Sequence, residues 1–221
     1  MFGTFEIKKI YKIMNKVSEK VLIQVEGATC SGKTSFVSDL CTMLKQKGID
    51  TMIIEEAATK VLIENKILLE QLVAYPNMSK QWKKSKIELQ QKILSHQIES
   101  LEQFAENNAH TIAIMDRGGA STAYHTIPLL SGNDKSLIER ICREIAKMSS
   151  QITLLSPLGF LHKNSPRYQE TPEETKTEYK GIKNYLNRWR LSYLEIAPVE
   201  RNARLRIGIK CIHALLNGMG R

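Results

Sequence analysis

The segment VLIQVEGATCSGKTSFVSDLCTML, residues 21–44, decides the fold. Its first six residues form a mostly apolar run, typical of a buried parallel strand, and apolar residues recur at helical spacing after Lys33. Between these two parts, Gly27–Thr34 (GATCSGKT) fits the pattern G-x-x-x-x-G-K-[ST]. A strand, a glycine-containing loop and a helix therefore follow each other in the order that a phosphate-binding loop requires.

The chemistry of such a loop predicts a nucleotide site. Backbone N–H groups surround a phosphate, and the N-terminus of the following helix adds partial positive charge. Lys33 is expected to bridge the β- and γ-phosphates, and Thr34 is expected to hold Mg²⁺. ATP is favoured over GTP as the cofactor because we find no N/T-K-x-D guanine motif. The predicted nucleotide-binding residues are Gly27, Ala28, Thr29, Cys30, Ser31, Gly32, Lys33, Thr34 and Ser35.

Length and composition indicate one α/β domain. The chain has 221 residues, 42% of them hydrophobic, and no apolar stretch approaches the roughly 18 residues of a membrane span. The four cysteines are widely spaced, which favours reduced thiols over disulfides or a zinc site. We expect a cytoplasmic protein with a basic N-terminal extension at 1–20 and a P-loop NTPase, kinase-like domain at 21–217.

The net charge of +9 raises the question of an anionic partner. A basic surface attracts nucleic acid or anionic lipid, but it also suits a nucleotide enzyme. The lysines are spread along the chain, with small clusters within 8–16 and 83–86, and no aromatic-interleaved basic motif is present. Solvated helix faces therefore explain the charge better than a nucleic-acid or lipid partner.

Strand-like and helix-like segments alternate along the chain. Strands are predicted at 21–26, 51–55, 111–115, 151–155 and 191–196, with helices between them, and Asp134 is expected to cap a helix over 134–148. Such alternation predicts a five-stranded, mainly parallel sheet covered by helices on both faces. The expected fold is a three-layer P-loop NTPase with a kinase-like lid.

Polar side chains follow the second and third predicted strands. The carboxyl ends of parallel strands meet at one edge of the sheet, where ligands bind. Asp116 is predicted to bind Mg²⁺ as a Walker B acid, although capping the next turn is an alternative role. Glu55 or Glu56 is predicted to accept a proton from a substrate hydroxyl, and a solvated acid at a helix start remains the alternative. Arg117 is placed to bind phosphate or to form an ion pair.

A polar, proline-interrupted segment at 162–173 is predicted to be a lid. The helix after it is marked by Thr171 and Glu174, which form a capping box with Pro172 at the first helical position. A cation that arrives when a lid closes stabilises charge on the transferring phosphoryl group. Arg167 is the candidate for this cation, and a solvated loop arginine is the alternative.

These motifs together resemble the NadR-like AAA-type P-loop ATPase and kinase family over residues 20–216. The resemblance implies ATP or GTP on the loop, a Walker B role for Asp116 and a lid role for Arg167. The family includes a ribosylnicotinamide kinase domain. Its usual Glu-Ala-Ala-Arg reads Glu-Ala-Ala-Thr here, with Thr59 in the fourth place, so substrate binding at that place is not carried over. The resemblance is carried by GATCSGKT, Glu56-Ala57-Ala58, Asp116-Arg117-Gly118, Arg167-Tyr168 and Leu194–Pro198 leading to Arg201.

Two functions from different classes remain open. The first is an ATP-dependent kinase that transfers the γ-phosphoryl group to a small nucleoside-like acceptor, with Lys33, Glu56, Asp116 and Arg167 as catalytic residues. The second is a nucleotide-dependent switch that engages an anionic partner without kinase activity. The basic charge and the threonine at position 59 favour the second.

Overall fold

The computed structural model of the chain describes residues 4–64, 80–158 and 171–218. Five strands alternate with eight helices in these residues, and a short 3-10 turn lies at Ile127–Leu129. The strands are β1 (Val21–Gly27), β2 (Met52–Ile54), β3 (Ile112–Asp116), β4 (Gln151–Leu155) and β5 (Leu194–Ile196). The helices are α1 (Thr4–Val17), α2 (Lys33–Gln46), α3 (Ala57–Glu64), α4 (Lys80–Glu106), α5 (Gly119–Thr126), α6 (Gly132–Lys147), α7 (Pro172–Arg188) and α8 (Arg201–Gly218).

The strands form one parallel sheet in the order β2-β3-β1-β4-β5. In the register of the central strand, Val21 lies opposite Ile112 of β3 and Ile23 lies opposite Gln151 of β4. Parallel neighbours require crossover connections, and the helices supply them. The predicted five-stranded parallel sheet is confirmed, and the loop that follows β1 lies at the centre of its carboxyl edge.

Alternation along the strands assigns side chains to the two faces of the sheet. In β1, Val21, Ile23 and Val25 pack with α2 and α8, whereas Leu22 points to the opposite face with α1, α4, α5, α6 and α7. Both faces are therefore covered, as a parallel sheet requires. By the same alternation, the next two residues on the opposite face are polar, namely Gln24 and Glu26, and both are fully buried.

The N-terminal helix α1 belongs to the hydrophobic core on the face of the sheet opposite α2 and α8. Ile10, Ile13 and Val17 are buried against α4 and α6. Ion pairs at the rim support this packing, since the amine of Lys9 lies 2.7 Å from the carboxylate of Glu102 in α4. The structure therefore places residues 4–17 in an ordered helix that packs on the domain.

Several element bounds differ from the sequence-based ones. Strands β2 and β5 are each only three residues long. The expectation that Asp134 caps its helix is wrong, because α6 begins two residues earlier and Ser131 is its N-cap. Asp134 instead lies in the first helical turn, where a carboxylate still interacts favourably with the helix dipole. Across the described ranges, no helix is both long and apolar enough to cross a bilayer.

Candidate active site at the carboxyl edge of the sheet

The loop between β1 and α2 has a backbone that only small residues tolerate at its start. Gly27 has φ +150°, and a Cβ there would lie 2.8 Å from the carbonyl oxygen of Leu155 in β4. Gly32, with φ +80°, and Cys30, with φ +58°, also adopt positive φ. Residues in this conformation turn successive N–H groups toward one concave space, which is how backbone nests bind anions.

Lys33, the first residue of α2, is buried and folds back on the loop. Its amine donates a hydrogen bond to the carbonyl oxygen of Ala28 at 2.7 Å. Burial, assisted by the charge of Arg117, lowers the pKa of Lys33, while nearby carboxylates oppose the shift. The amine is therefore held inside the loop, within reach of any anion that binds there.

Thr34 and Asp116 meet between α2 and the end of β3. The Thr34 hydroxyl donates to Oδ2 of Asp116 at 2.7 Å. The other oxygen, Oδ1, is buried and accepts no hydrogen bond from the part of the chain that the structure describes. Burial raises the pKa of Asp116, although the Thr34 hydroxyl and Lys33 counteract part of the shift. A buried acceptor without a partner, beside a hydroxyl, fits a hard cation such as Mg²⁺.

This pair alone does not form a complete metal cage. Among residues 4–64, 80–158 and 171–218, no group of three or more histidine, cysteine or acidic side chains is arranged to hold a metal ion. Mg²⁺ commonly takes one or two protein oxygens and completes its shell with phosphate oxygens and water. The Thr34 and Asp116 oxygens fit that pattern.

Glu56 and Arg117 form a buried ion pair beside the loop. The guanidinium Nε of Arg117 lies 3.0 Å from Oε1 of Glu56, and the Thr59 hydroxyl donates to the other carboxylate oxygen at 2.7 Å. Burial opposes the charge on Arg117, but Glu56 and other nearby carboxylates outweigh it and raise the pKa of Arg117. Glu55 is exposed. The structure thus directs Glu56, and not Glu55, toward the site.

Glu178, on α7, reaches the loop from the other side. Its Oε2 accepts the backbone N–H of Thr29 at 2.8 Å, and its Oε1 lies 3.0 Å from Nε2 of His125 in α5. Burial opposes ionisation of Glu178, but His125, Arg117 and Lys33 outweigh it and hold its pKa well below the usual range. An ionised carboxylate therefore contacts a backbone donor of the loop.

The polar residues of β1 anchor the start of α5. The Glu26 carboxylate accepts the backbone N–H groups of Ala120 at 2.9 Å and Ser121 at 3.1 Å, together with the Ser121 hydroxyl. The side-chain oxygen of Gln24 accepts the N–H of Gly119 at 3.2 Å. A carboxylate at a helix N-terminus satisfies free N–H groups and interacts favourably with the dipole. These contacts fix the turn that carries the polar end of β3.

Arg204, on α8, connects the loop to the segment after β4. Its guanidinium donates to the carbonyl oxygen of Ser31 at 2.7 Å and to that of Ser156 at 2.8 Å. The side chain is buried, and burial lowers its pKa. A buried, charged hydrogen-bond donor therefore links the loop to the segment after β4.

A cavity of about 320 Å³ opens beside the loop at Cys30. Its lining includes the apolar surfaces of Pro157, Leu158, Tyr179 and Pro198. This volume is at the lower end of the roughly 300–1,000 Å³ that small-molecule sites occupy. The cavity has the size and the apolar walls that suit a planar ring.

The structure brings most of the predicted site residues to one place. The loop residues 27–33, with Thr34 and the exposed Ser35 in the first turn of α2, lie at the carboxyl edge with Glu56 and Asp116. Arg167 and the other predicted lid residues at 162–170 lie outside the described residues. The capping box of Thr171 and Glu174 is confirmed at the start of α7. Sequence reasoning missed Glu26, His125, Glu178 and Arg204.

A sequence model of the AAA domain family, AAA_28, matches residues 22–204. The match covers most of the chain and includes β1 from Leu22 onward, the other four described strands, the loop after β1 and the start of α8. No curated protein matches the chain.

Solved structures of low sequence identity share the fold, and they include a NadR protein and two thymidylate kinases. A NadR protein in complex with NR has a TM-score of 0.63 at 15% identity, over 92% of this chain and 52% of that one. Thymidylate kinase from Ehrlichia chaffeensis has a TM-score of 0.54 at 18% identity, over 88% of this chain and 98% of that one. Thymidylate kinase from Candida albicans has a TM-score of 0.53 at 15% identity, over 89% of this chain and 92% of that one. The chain spans about half the length of the NadR protein.

Proposed function

Because the chain belongs to the AAA domain family and has a NadR-like, kinase-like P-loop fold, we propose that it is an ATP-dependent kinase with a small nucleoside-like acceptor. The observation that carries the proposal is the hydrogen bond from Thr34 to Asp116, beside a buried Asp116 oxygen without a partner. The loop lysine lies next to this pair. These are the parts that phosphoryl transfer requires at the end where the nucleotide phosphates bind.

The nucleotide would lie along the loop with its base in the neighbouring cavity. Lys33 would exchange the carbonyl oxygen of Ala28 for phosphate oxygens, which is a favourable exchange because the phosphates are charged. Pro157, Leu158 and Pro198 would contact the faces of the base. Apolar contact of this kind binds a planar ring without selecting strongly between purines. The preference for ATP follows instead from the sequence, which has no N/T-K-x-D guanine motif.

The charges of the site favour a divalent cation with the nucleotide. Two cations, Lys33 and Arg117, lie among three carboxylates, Glu56, Asp116 and Glu178. A polyphosphate adds further negative charge to this group. Thr34 and Asp116 would hold Mg²⁺, which neutralises charge that develops on the transferring phosphoryl group.

Glu56 is the proposed partner of the acceptor hydroxyl. It is buried, directed toward the loop and fixed by Arg117 and Thr59. A carboxylate held this way orients a hydroxyl and accepts its proton during transfer. Arg167 is proposed to add positive charge from the lid.

The proposal is tested by measuring ATP consumption with Mg²⁺ in the presence of nucleosides, nucleotides and nicotinamide riboside. Products are identified by mass spectrometry. Lys33→Ala should reduce product formation by about a hundredfold or more, since it removes a cation from the transferring group. Lys45→Ala is the matched control, because Lys45 is exposed on the same helix and should leave the rate within about twofold of the wild type.

A different result would favour the second function. If the wild type binds ATP but phosphorylates no member of the panel, the kinase proposal fails. A nucleotide-dependent switch with an anionic partner would then be the better interpretation, with the net charge of +9 as its support.

A further inference from the structure

One carboxylate occupies a position that an anion should take. The backbone N–H of Thr29, the third residue of the phosphate-binding loop, donates to Glu178 at 2.8 Å. Loop N–H groups of this kind are donors to phosphate oxygens. The contact joins residues 149 positions apart in the chain, so it arises from packing of α7 on the loop and not from a local turn.

The position of Glu178 is fixed by its surroundings. Its second oxygen lies 3.0 Å from Nε2 of His125, and its side chain is only 4% exposed. Gly181, one turn further along α7, packs on the ring of Tyr124, and a Cβ at position 181 would overlap that ring. The close approach of α7 to α5 therefore brings the carboxylate to the loop.

The electrostatics identify which part of a nucleotide would meet Glu178. Lys33, the residue that reaches the outer phosphates of a nucleotide in such loops, interacts electrostatically with Glu178. Arg117 does so as well. Glu178 therefore feels the charge of two cations, Lys33 and Arg117, which are also the candidates to bind a terminal phosphate.

We propose that Glu178 discriminates against the γ-phosphate. Its carboxylate accepts the hydrogen bond of the Thr29 N–H, so a nucleoside triphosphate must displace it, whereas a diphosphate need not. The inference rests on the proposed function, since it assumes a nucleotide on the loop. An anionic carboxylate beside Thr29 competes for the donor and repels a terminal phosphate.

The test compares Mg²⁺-dependent binding of ADP and of a non-hydrolysable ATP analogue by titration calorimetry. Glu178→Gln keeps the shape of the side chain and removes its charge. It should strengthen triphosphate binding by about tenfold or more and change ADP binding by less than about threefold, since only the terminal phosphate approaches the carboxylate closely. Glu173→Gln, an equal charge change at an exposed position of α7, should leave both affinities unchanged.

Several results would overturn the inference. An equal change for both nucleotides, or weaker triphosphate binding by Glu178→Gln, would show that Glu178 does not oppose the terminal phosphate. If Glu178→Gln does not fold, as judged by thermal unfolding, Glu178→Ala replaces it with the same expected order of affinities.

Failure of the proposed function gives a separate result. If wild type and Lys33→Ala are alike in binding neither nucleotide, the proposed function and the inference fall together. If the wild type binds both nucleotides and the charge of Glu178 has no selective effect, only the inference fails.

Discussion

Arg204→Met should destabilise the protein and weaken the support of the phosphate-binding loop. Arg204 is 4% exposed, and its guanidinium donates to the carbonyl oxygens of Ser31 and Ser156 at 2.7 and 2.8 Å. Methionine fills a similar volume but has no donor. Both carbonyl oxygens therefore lose a charged partner.

The size of the effect follows from these two contacts. Hydrogen bonds to charged groups contribute about 1.5–3 kcal/mol each, which gives a gross loss of about 3–6 kcal/mol. Removing the buried charge offsets part of this loss, because burial of a guanidinium is itself unfavourable. We expect a net decrease of about 2–4 kcal/mol in the free energy of unfolding. For a chain of this size, Tm should fall by about 4–16 °C.

Urea unfolding followed by circular dichroism measures this difference. Arg201→Met is the matched control on the same helix, because Arg201 is paired with Asp39 but its side chain is 71% exposed. The control should lose no more than about 1 kcal/mol. Arg204→Lys keeps the charge but cannot donate to both carbonyl oxygens as the guanidinium does. Its stability should lie between that of Arg204→Met and that of Arg201→Met. If Arg204→Met is no less stable than Arg201→Met, Arg204 does not support the loop in the way we describe.

Two further substitutions test other parts of the site. Asp116→Asn should make the nucleotide-free protein more stable at pH 7, because it removes a carboxylate whose pKa is raised by burial. The gain in the free energy of unfolding, measured with urea, should shrink as the pH falls through that raised pKa toward 3.8. Equal or lower stability of the variant at pH 7 would contradict the prediction. The same variant should lose Mg²⁺-dependent turnover. Gly119→Ala places a Cβ on the carbonyl oxygen of Cys142 and should lower the free energy of unfolding by about 3 kcal/mol or more. The control Gly48→Ala meets no atom within 4 Å and should lower it by about 1–2 kcal/mol through its positive φ alone. Equal decreases for the two variants would refute the steric reason.

Much of the fold could be predicted from the sequence because the patterns that indicate it are formed by residues close together in the chain. The run VLIQVE, the motif GATCSGKT and the apolar stripe of α2 each depend on residues close together in sequence, so periodicity alone places the first strand and helix. Asp116 was predicted as a site residue for the same reason, since it directly follows an apolar run, and the structure places it at the end of β3. The strands β2 and β5 were predicted too long, because the ladder continues only where a neighbouring strand offers partners.

The residues that were missed act across long sequence separations. Glu178 is one of three acids in a polar helix, and only its place on the buried stripe with Thr175, Ile182 and Leu186 distinguishes it. The sequence could have indicated Glu178 as a buried functional residue, because it is an acid on the otherwise buried stripe of α7. Glu26 had a similar signal, because it is an acid at the end of the mostly apolar run 21–26 that predicts a buried strand. Arg204 had none, since its partners are backbone carbonyl groups whose position depends on the whole sheet.

The packing of α1 has a consequence for how the chain folds. This helix precedes the five described strands in the chain, yet its contacts lie far ahead. Lys16 pairs with Glu106, 90 residues later, and Tyr11 accepts a hydrogen bond from Arg140, 129 residues later. Contacts of such high sequence separation form late and slow folding. Until α4 and α6 exist, Ile10, Ile13 and Val17 have no core to enter. During synthesis, α1 is therefore an amphipathic segment with an uncovered apolar face, which is the kind of surface that chaperones bind.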